Sequence, residues 1–361
     1  VLLLTWIASG SFGLLSSLAA FDFEKALTHT GVSIYLYGAT FFLAAFVAAK
    51  PAEHLKLMFS GLTLAAVIAT ATGILGYFNI GDTADLFTKF GRAAGTFKDP
   101  NVFGPFLVPP LVYAVNRALE RPLARALAPL SLAGFLALGV FLSFSRGAWI
   151  NLVVALGIFL ALAFFSAPNN ARRQKIAFLG IFSAAIVGLV VIGALQVEQV
   201  SSLLKERASV TQSYDVGPEG RFGGQEKAVG LMLENPMGIG AAQFALVHHH
   251  EEVHNVYLSM MLNAGWLGAG LYFIAVISTI GLGLYSVLMR QTAAQPFLMI
   301  ATACFAANAF EGIVIDTDHW RHFYLLMAMV WGIATAPQVS AFTAPIIRSS
   351  LRRREAAALL A

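Results

Sequence analysis

Charge is what this sequence has least of. Only 12% of its 361 residues are Asp, Glu, Lys or Arg, where a soluble domain carries about a quarter. So few ions cannot cover a water-facing surface, and a soluble globular chain is excluded. Cysteine is nearly absent as well. Cys304 stands alone inside an apolar run, so there is no intramolecular disulfide and no reading of the redox compartment. Internal repeats are missing, and the only low-complexity tract is a short basic tail. The formal net charge is +4; it resides mostly in short loops and implies no nucleic-acid partner.

What the chain does have is apolar length. It is 58% hydrophobic, with a mean hydropathy of +0.74, and apolar stretches of about twenty residues recur, the length a helix needs to cross a bilayer core. Lipid offers no hydrogen-bond partners, so spans must be helices or a closed barrel. The runs are continuous rather than alternating, which favours helices. The expected architecture is an all-α polytopic membrane protein with about 10 transmembrane helices. They fall near 1–20, 31–49, 57–76, 102–116, 128–145, 147–167, 176–196, 256–288, 297–315 and 320–337. The 256–288 run is long for one span and is expected to tilt or project from the bilayer.

The loops then alternate in charge. Lys50, Lys56, Arg117, Arg121, Arg125, Arg172, Arg173, Lys175 and Arg290 fall on one side, with Arg348, Arg352, Arg353 and Arg354 of the tail. By the positive-inside rule that side is cytoplasmic, and both chain ends lie there. Four regions follow: N-terminal transmembrane helices 1–196, a long outer loop 197–255, C-terminal helices 256–338 and a basic tail 339–361. The loop mixes Lys205, Arg207, Arg221 and Lys227 with Glu198, Glu206, Asp215, Glu219, Glu226 and Glu234. Apolar residues through 228–247 predict short helices there.

Basic residues also occur on the outer face, where the positive-inside rule does not account for them: Arg92 and Lys98 in Gly91–Gly104, Arg146 in a short turn between two spans, and Arg221. Singly, each reads as a snorkelling or solvated charge. Together with a histidine cluster on the same face they suggest an anion-binding pocket. That cluster, His248-His249-His250-Glu251-Glu252-Val253-His254, contains H-E-x-x-H, the helix-borne zinc pattern of metalloproteases. A zinc reading places His250 and His254 on one helix face, with Glu251 activating water and a third ligand from Glu311, Asp316, Asp318 or His319. The pattern, however, stands at a loop-to-membrane junction and leaves the outer arginines unused.

Four blocks in order carry a resemblance. They are Gly91-Arg92 through Gly95-Thr96-Phe97 to Asp99-Pro100-Asn101; Ser145-Arg146-Gly147-Ala148-Trp149; Arg221 with the run to Asn235-Pro236-Met237-Gly238-Ile239-Gly240; and His254-Asn255-Val256-Tyr257-Leu258 followed by Asn263-Ala264-Gly265-Trp266-Leu267-Gly268. In these blocks the chain resembles the O-antigen ligase and polymerase superfamily of bacterial membrane glycosyltransferases. The resemblance implies about 12 spans, with two ahead of Val1. It implies a bacterial inner-membrane enzyme with its active site facing the periplasm and one long periplasmic loop. The donor would be an undecaprenyl-pyrophosphate-linked glycan and the acceptor lipid A-core, a growing polysaccharide or a protein hydroxyl. It further implies His254 as the catalytic residue and Arg146, Arg221 and, at a commonly basic position, Arg92 on the pyrophosphate. Lys98, Asn255 and an acidic residue of the last outer loop, Asp316 or Asp318, would give support.

The residue types suit that chemistry. A guanidinium stays charged and bonds phosphate oxygens through a planar fork. An imidazole titrates near neutral pH and serves as a general base. The expected reaction is inverting and metal-independent, with no cofactor, and ligase is favoured over polymerase. This reading expects no stoichiometric zinc in the purified protein and little dependence on Glu251. A transporter for a lipid-linked anion is the remaining alternative; it expects basic groups along a path through the membrane rather than on one side.

Overall fold

The computed structural model describes residues 2–194, 196, 217–289 and 294–336. Glu198, Lys205, Glu206, Arg207, Asp215, Arg290 and the basic tail lie outside the described residues. The described chain is almost wholly helical, with one two-stranded hairpin. In order it forms α1 (Leu2–Ser17), α2 (Phe23–Ala49), α3 (Pro51–Tyr77), a single turn α4 (Ala84–Phe87), the hairpin β1–β2 (Thr88–Lys89 and Arg92–Ala93), α5 (Pro100–Glu120), α6 (Leu123–Leu142), α7 (Arg146–Phe165) and α8 (Asn170–Ala194). After the loop come α9 (Arg221–Glu234), a π-helical turn Phe244–His248, α10 (Val256–Met289), α11 (Gln295–Glu311) and α12 (Arg321–Thr335). Each of the ten apolar segments read from the sequence forms a helix. Among the described residues, six helices, α2, α3, α5, α6, α7 and α10, are long and apolar enough to cross a membrane.

Burial separates inner from outer helices. The apolar window of α5 is 83% buried, against 28% for α3 and for α7. α5 packs on α6, α7, α3 and α11; α11 packs on α7 and α12; α12 packs on α2; α10 packs on α1. Neighbours thus surround α5, which tolerates Pro105, Pro109 and Pro110 inside its length. The outer helices turn large apolar side chains outward, among them Phe42, Leu64, Val153, Phe165 and Ile277. In water such a surface would aggregate; facing lipid, it is what a membrane-embedded bundle requires.

Helix ends differ from the hydropathy reading where local caps decide them. α2 begins at Phe23 rather than 31, because the Asp22 carboxylate accepts the backbone N–H of Lys25 at 3.0 Å. α11 stops at Glu311 rather than 315, with Gly312 at its C-cap. The long run 256–288 is not one straight helix. At Gly265 (φ 69°, ψ 179°) the backbone leaves helical geometry. A side chain there would meet the Pro236 carbonyl oxygen at 2.7 Å, so only glycine fits. Trp266 N–H donates to that same carbonyl at 2.9 Å, and Ile239 N–H donates to Leu262 O at 2.8 Å. The Asn235–Gly240 and Asn263–Gly268 blocks are therefore one packed unit, which seats the start of α10.

Candidate functional site

Four turns meet at one end of the bundle. Arg92 lies in the hairpin, whose Phe90-Gly91 turn has both residues at positive φ (55° and 68°), as a tight two-residue connection requires. Its side chain is buried; Nε donates to Ser143 O at 2.7 Å and Nη2 donates to Asn101 Oδ1 at 2.7 Å. Arg92 thereby ties the start of α5 to the turn before α7. That turn is tight because Ser145 caps α7, accepting Ala148 N–H at 3.3 Å, and Arg146 becomes the first residue of the helix.

The α7 start sits against the end of α11. A Cβ on Gly147 would lie 2.5 Å from Glu311 Oε1. Glu311 is buried, and its Oε2 accepts from Asn151 Nδ2 at 2.7 Å. From there the next contact leads to the histidine loop: Val256 N–H donates to Gly312 O at 2.9 Å, and Tyr257 Oη donates to Ala309 O at 2.6 Å. Asn255 is the N-cap of α10, its Oδ1 accepting from the N–H groups of Tyr257 (3.1 Å) and Leu258 (3.3 Å).

His254 precedes that cap in a left-handed conformation, φ 53°. For a residue with a Cβ this costs on the order of 1 kcal/mol. The conformation aims its backbone N–H at Asp316 Oδ2, 3.0 Å away, while Gln225 Nε2 donates to its carbonyl at 3.3 Å. The imidazole is partly exposed and lies between two carboxylates, Nδ1 3.8 Å from Asp316 Oδ2 and Nε2 3.6 Å from Glu251 Oε2. Asp316 is anchored in turn by Ser259 Oγ, which donates to its Oδ1. Burial, and next the positive field of Arg221, hold the His254 pKa below the ordinary histidine value, against the pull of Glu251 and Asp99. The neutral ring is thus favoured. Burial, with Asp318 nearby, pushes the Asp316 carboxyl up to about 7.

Arg221 is the first residue of α9, whose Gly220 N-cap offers no side-chain acceptor. Gln225, one turn along α9, bonds the His254 carbonyl, so the start of α9 stands at the histidine end of the bundle. Asp99, the N-cap of α5, accepts the Asn101 N–H at 2.7 Å and exerts a small negative field on His254. Lys98 is exposed and lines, with Lys89, an open cavity of about 520 Å³ beside the hairpin.

The structure separates the two acidic candidates. Asp316 faces His254, whereas Asp318 points back toward α2 and His29. It also separates the histidines. Residues 249–255 are not helical, so His250 and His254 share no helix face. His250 Nδ1 approaches Glu219 Oε2 at 3.5 Å, and His249 Nε2 lies 4.0 Å from the same oxygen. The spacing that makes H-E-x-x-H a zinc site needs a helix that is not there. Sequence reasoning missed Glu251 as a neighbour of His254, along with Asp99 and the Glu311–Asn151 pair. Glu251 was legible only as part of the zinc pattern, and the structure brings its Oε2 within 3.6 Å of Nε2. The other two are brought in by tertiary contacts and left no local signal.

No curated protein matches the chain. A family model described as O-Antigen ligase matches residues 131–273. That range runs from α6 into α10 and contains Arg146, Arg221 and His254, with Arg92 and Asp316 outside it. Activity of the O-antigen ligase or polymerase type goes with that family, as do lipid-linked polysaccharide substrates and a membrane setting. Over residues 131–273 the chain is similar to that O-antigen ligase family, and the match supports a place in the O-antigen ligase and polymerase superfamily.

Proposed function

We propose that the protein is an inverting, metal-independent glycosyltransferase of the inner membrane, acting at the periplasmic face. It moves a glycan from undecaprenyl pyrophosphate to a sugar hydroxyl, with lipid A-core as acceptor. The observation that carries this reading is that Arg146 and Arg221 each open a helix at the end of the bundle where His254 lies. A helix N-terminus directs N–H groups and partial positive charge outward and is a ready anion site. A guanidinium at the first helical position adds a full charge and a phosphate-matched fork to that field. Preorganised charge of this kind is worth several kcal/mol where a leaving group gains negative charge.

In this scheme His254 is the general base. Asp316 holds Nδ1, which leaves Nε2 to take the acceptor proton. As the acceptor oxygen bonds to the anomeric carbon, the bond from that carbon to the pyrophosphate oxygen breaks. The lipid pyrophosphate leaves with the electron pair, steadied by Arg146 and Arg221. Attack opposite the leaving group inverts the anomeric centre. Glu251, beside Nε2, is placed to hold the acceptor hydroxyl. Arg92 is a positioning residue that fixes the turn before Arg146. The inward-facing assignment of Lys50, Lys56, Arg117, Arg121, Arg172, Arg173 and Lys175 supports a periplasmic His254.

Polymerase action, with a growing polysaccharide as acceptor, uses the same steps and differs only in the acceptor surface. The test of the base is glycan transfer by His254→Ala in membranes containing the variant at the normal level. A fall of about 10²–10⁴ is expected; near-normal transfer would rule out His254 as the base.

A further inference from the structure

His29 of α2 and the neighbouring pair Asp318 and His319 come together away from His254. His29 Nε2 lies 4.0 Å from Asp318 Oδ2, and the two imidazole rings stack with centroids 4.0 Å apart. One ligand-type atom from each of the three residues lies within 4.8 Å of the others. We infer that His29, Asp318 and His319 form a binding site for a divalent first-row transition ion, a clamp joining the 312–320 loop to α2. This inference does not depend on the transferase reading.

The donor set, two imidazoles and a carboxylate, is the kind that zinc and its neighbours take, with a fourth position left to water. Bonds of about 2.0–2.2 Å would bring the ligand atoms to roughly 3.3 Å from one another. His29 and His319 are partly exposed, and their stacked rings would turn so that each aims a nitrogen at the ion. The outer shell is already built. Ser33 Oγ and His319 Nε2 are 2.9 Å apart; with Nε2–H donating to the serine, Nδ1 presents its lone pair to the ion. Ligating histidines are typically held in this way through their second nitrogen. Tyr324 Oη donates to Asp318 O at 2.7 Å and fixes the loop at the carboxylate ligand.

Access is also present. An open cavity of about 530 Å³ reaches His29 and His319 from outside, past Asp22, Glu24 and Lys25. The buried Asp318 carboxylate faces imidazoles on a helix and on its own loop, and a cation between them would satisfy all three groups at once. These are not the residues of the H-E-x-x-H pattern: that reading offered Asp318 or His319 as a third ligand for His250 and His254, whereas here both serve with His29. Asp316 stands two residues before Asp318 on the same loop, so an ion here would also stiffen the carboxylate that faces His254.

The test is Zn²⁺ titration, by calorimetry and by metal content, of the whole protein purified in detergent and first stripped with chelator. One tightly bound equivalent is expected. Asp318→Asn and His319→Gln should each abolish it, and Ser33→Ala should weaken it about tenfold. Zn²⁺ should raise the unfolding temperature of the parent protein and not that of Asp318→Asn. The Glu219→Gln, His250→Gln double variant removes the second His-rich group (Glu219, His249 and His250) and should leave binding intact. Loss of binding in that double variant, with retention in Asp318→Asn, would overturn the proposal, as would the absence of any bound equivalent. If Asp318→Asn fails to fold, Ser33→Ala decides: unchanged affinity refutes the site and the tenfold loss supports it.

Discussion

At the two ends of the bundle, basic side chains meet opposite ends of helices: the α5 C-terminus at one end, and the α7 and α9 starts at the other. At one end, Arg117 lies in the last turn of α5 and donates to Tyr113 Oη at 2.9 Å. Lys175 Nζ reaches the final α5 carbonyls, Leu119 O at 2.7 Å and Ala118 O at 3.3 Å, and donates also to Arg121 O. Cations there complement the helix dipole and satisfy orphan carbonyls. At the other end, Arg146 and Arg221 stand at helix starts, where the dipole disfavours a cation by about 0.3–1 kcal/mol. The same residue type closes a helix C-terminus in one place and opens a helix in the other. On the proposed function, the second end, and not the first, takes the pyrophosphate.

The largest test of that contrast is substitution at both ends. Arg146→Ala and Arg221→Ala should each lower glycan transfer by about 10²–10³. Arg117→Ala should do the reverse, sparing transfer and lowering stability. Equal losses of transfer at both ends, assayed in membranes at matched protein levels, would remove the distinction.

A second test acts on the support beneath Arg146. Gly147→Ala forces a Cβ against Glu311, and overpacking of that kind costs about 1–3 kcal/mol. Thermal unfolding in detergent should report the loss, and transfer should slow as the Arg146 turn is displaced. Gly157→Ala, ten residues along α7 where a Cβ meets nothing within 4 Å, is the control and should be silent.

The smallest expected effect is a shift in pH dependence. His254 must be neutral to accept a proton, and its pKa is held below the usual histidine range. The His254 limb should therefore have its midpoint below about pH 6.5, while Asp316, whose carboxyl is pushed up to about 7, titrates above it. The charged groups facing the ring are Glu251, Asp316, Asp99 and Arg221. Removing the positive one, in Arg221→Gln, should raise the His254 pKa and move the acidic limb to higher pH in whatever transfer remains. Glu251→Gln should move it lower. A limb that ignores both substitutions would mean that another group controls the rate.

How much of this was legible in the sequence varies by feature. Helix identity was legible wherever hydropathy alone decides it, because a run of twenty apolar residues has few other ways to satisfy its backbone in lipid. The break at Gly265 was not, since it depends on the Pro236 carbonyl pressing on that glycine from thirty residues away. The hairpin around Phe90 and Gly91 was equally hidden, because strands of two residues show no alternation. Among site residues, Arg92 was visible as an outer-face charge, yet its attachment to Ser143 and Asn101 depends on where α5 and α6 pack. The choice between Asp316 and Asp318 is the sharpest case. Two residues apart, they are chemically alike in sequence, and the fold of the 312–320 loop turns one toward His254 and the other toward His29.

By itself, the sequence determined that this is a bundle of apolar helices with an excess of cationic groups on one face, and which arginines and which histidine stand apart from that pattern. Those are consequences of composition and period, which act locally along the chain. Only the tertiary structure decided which carboxylate meets which histidine, that Arg146 and Arg221 oppose their helix dipoles at the end where His254 lies, and that the zinc-like spacing of His250 and His254 falls on a loop. Those depend on contacts between segments far apart in the chain, and a linear pattern carries no record of them.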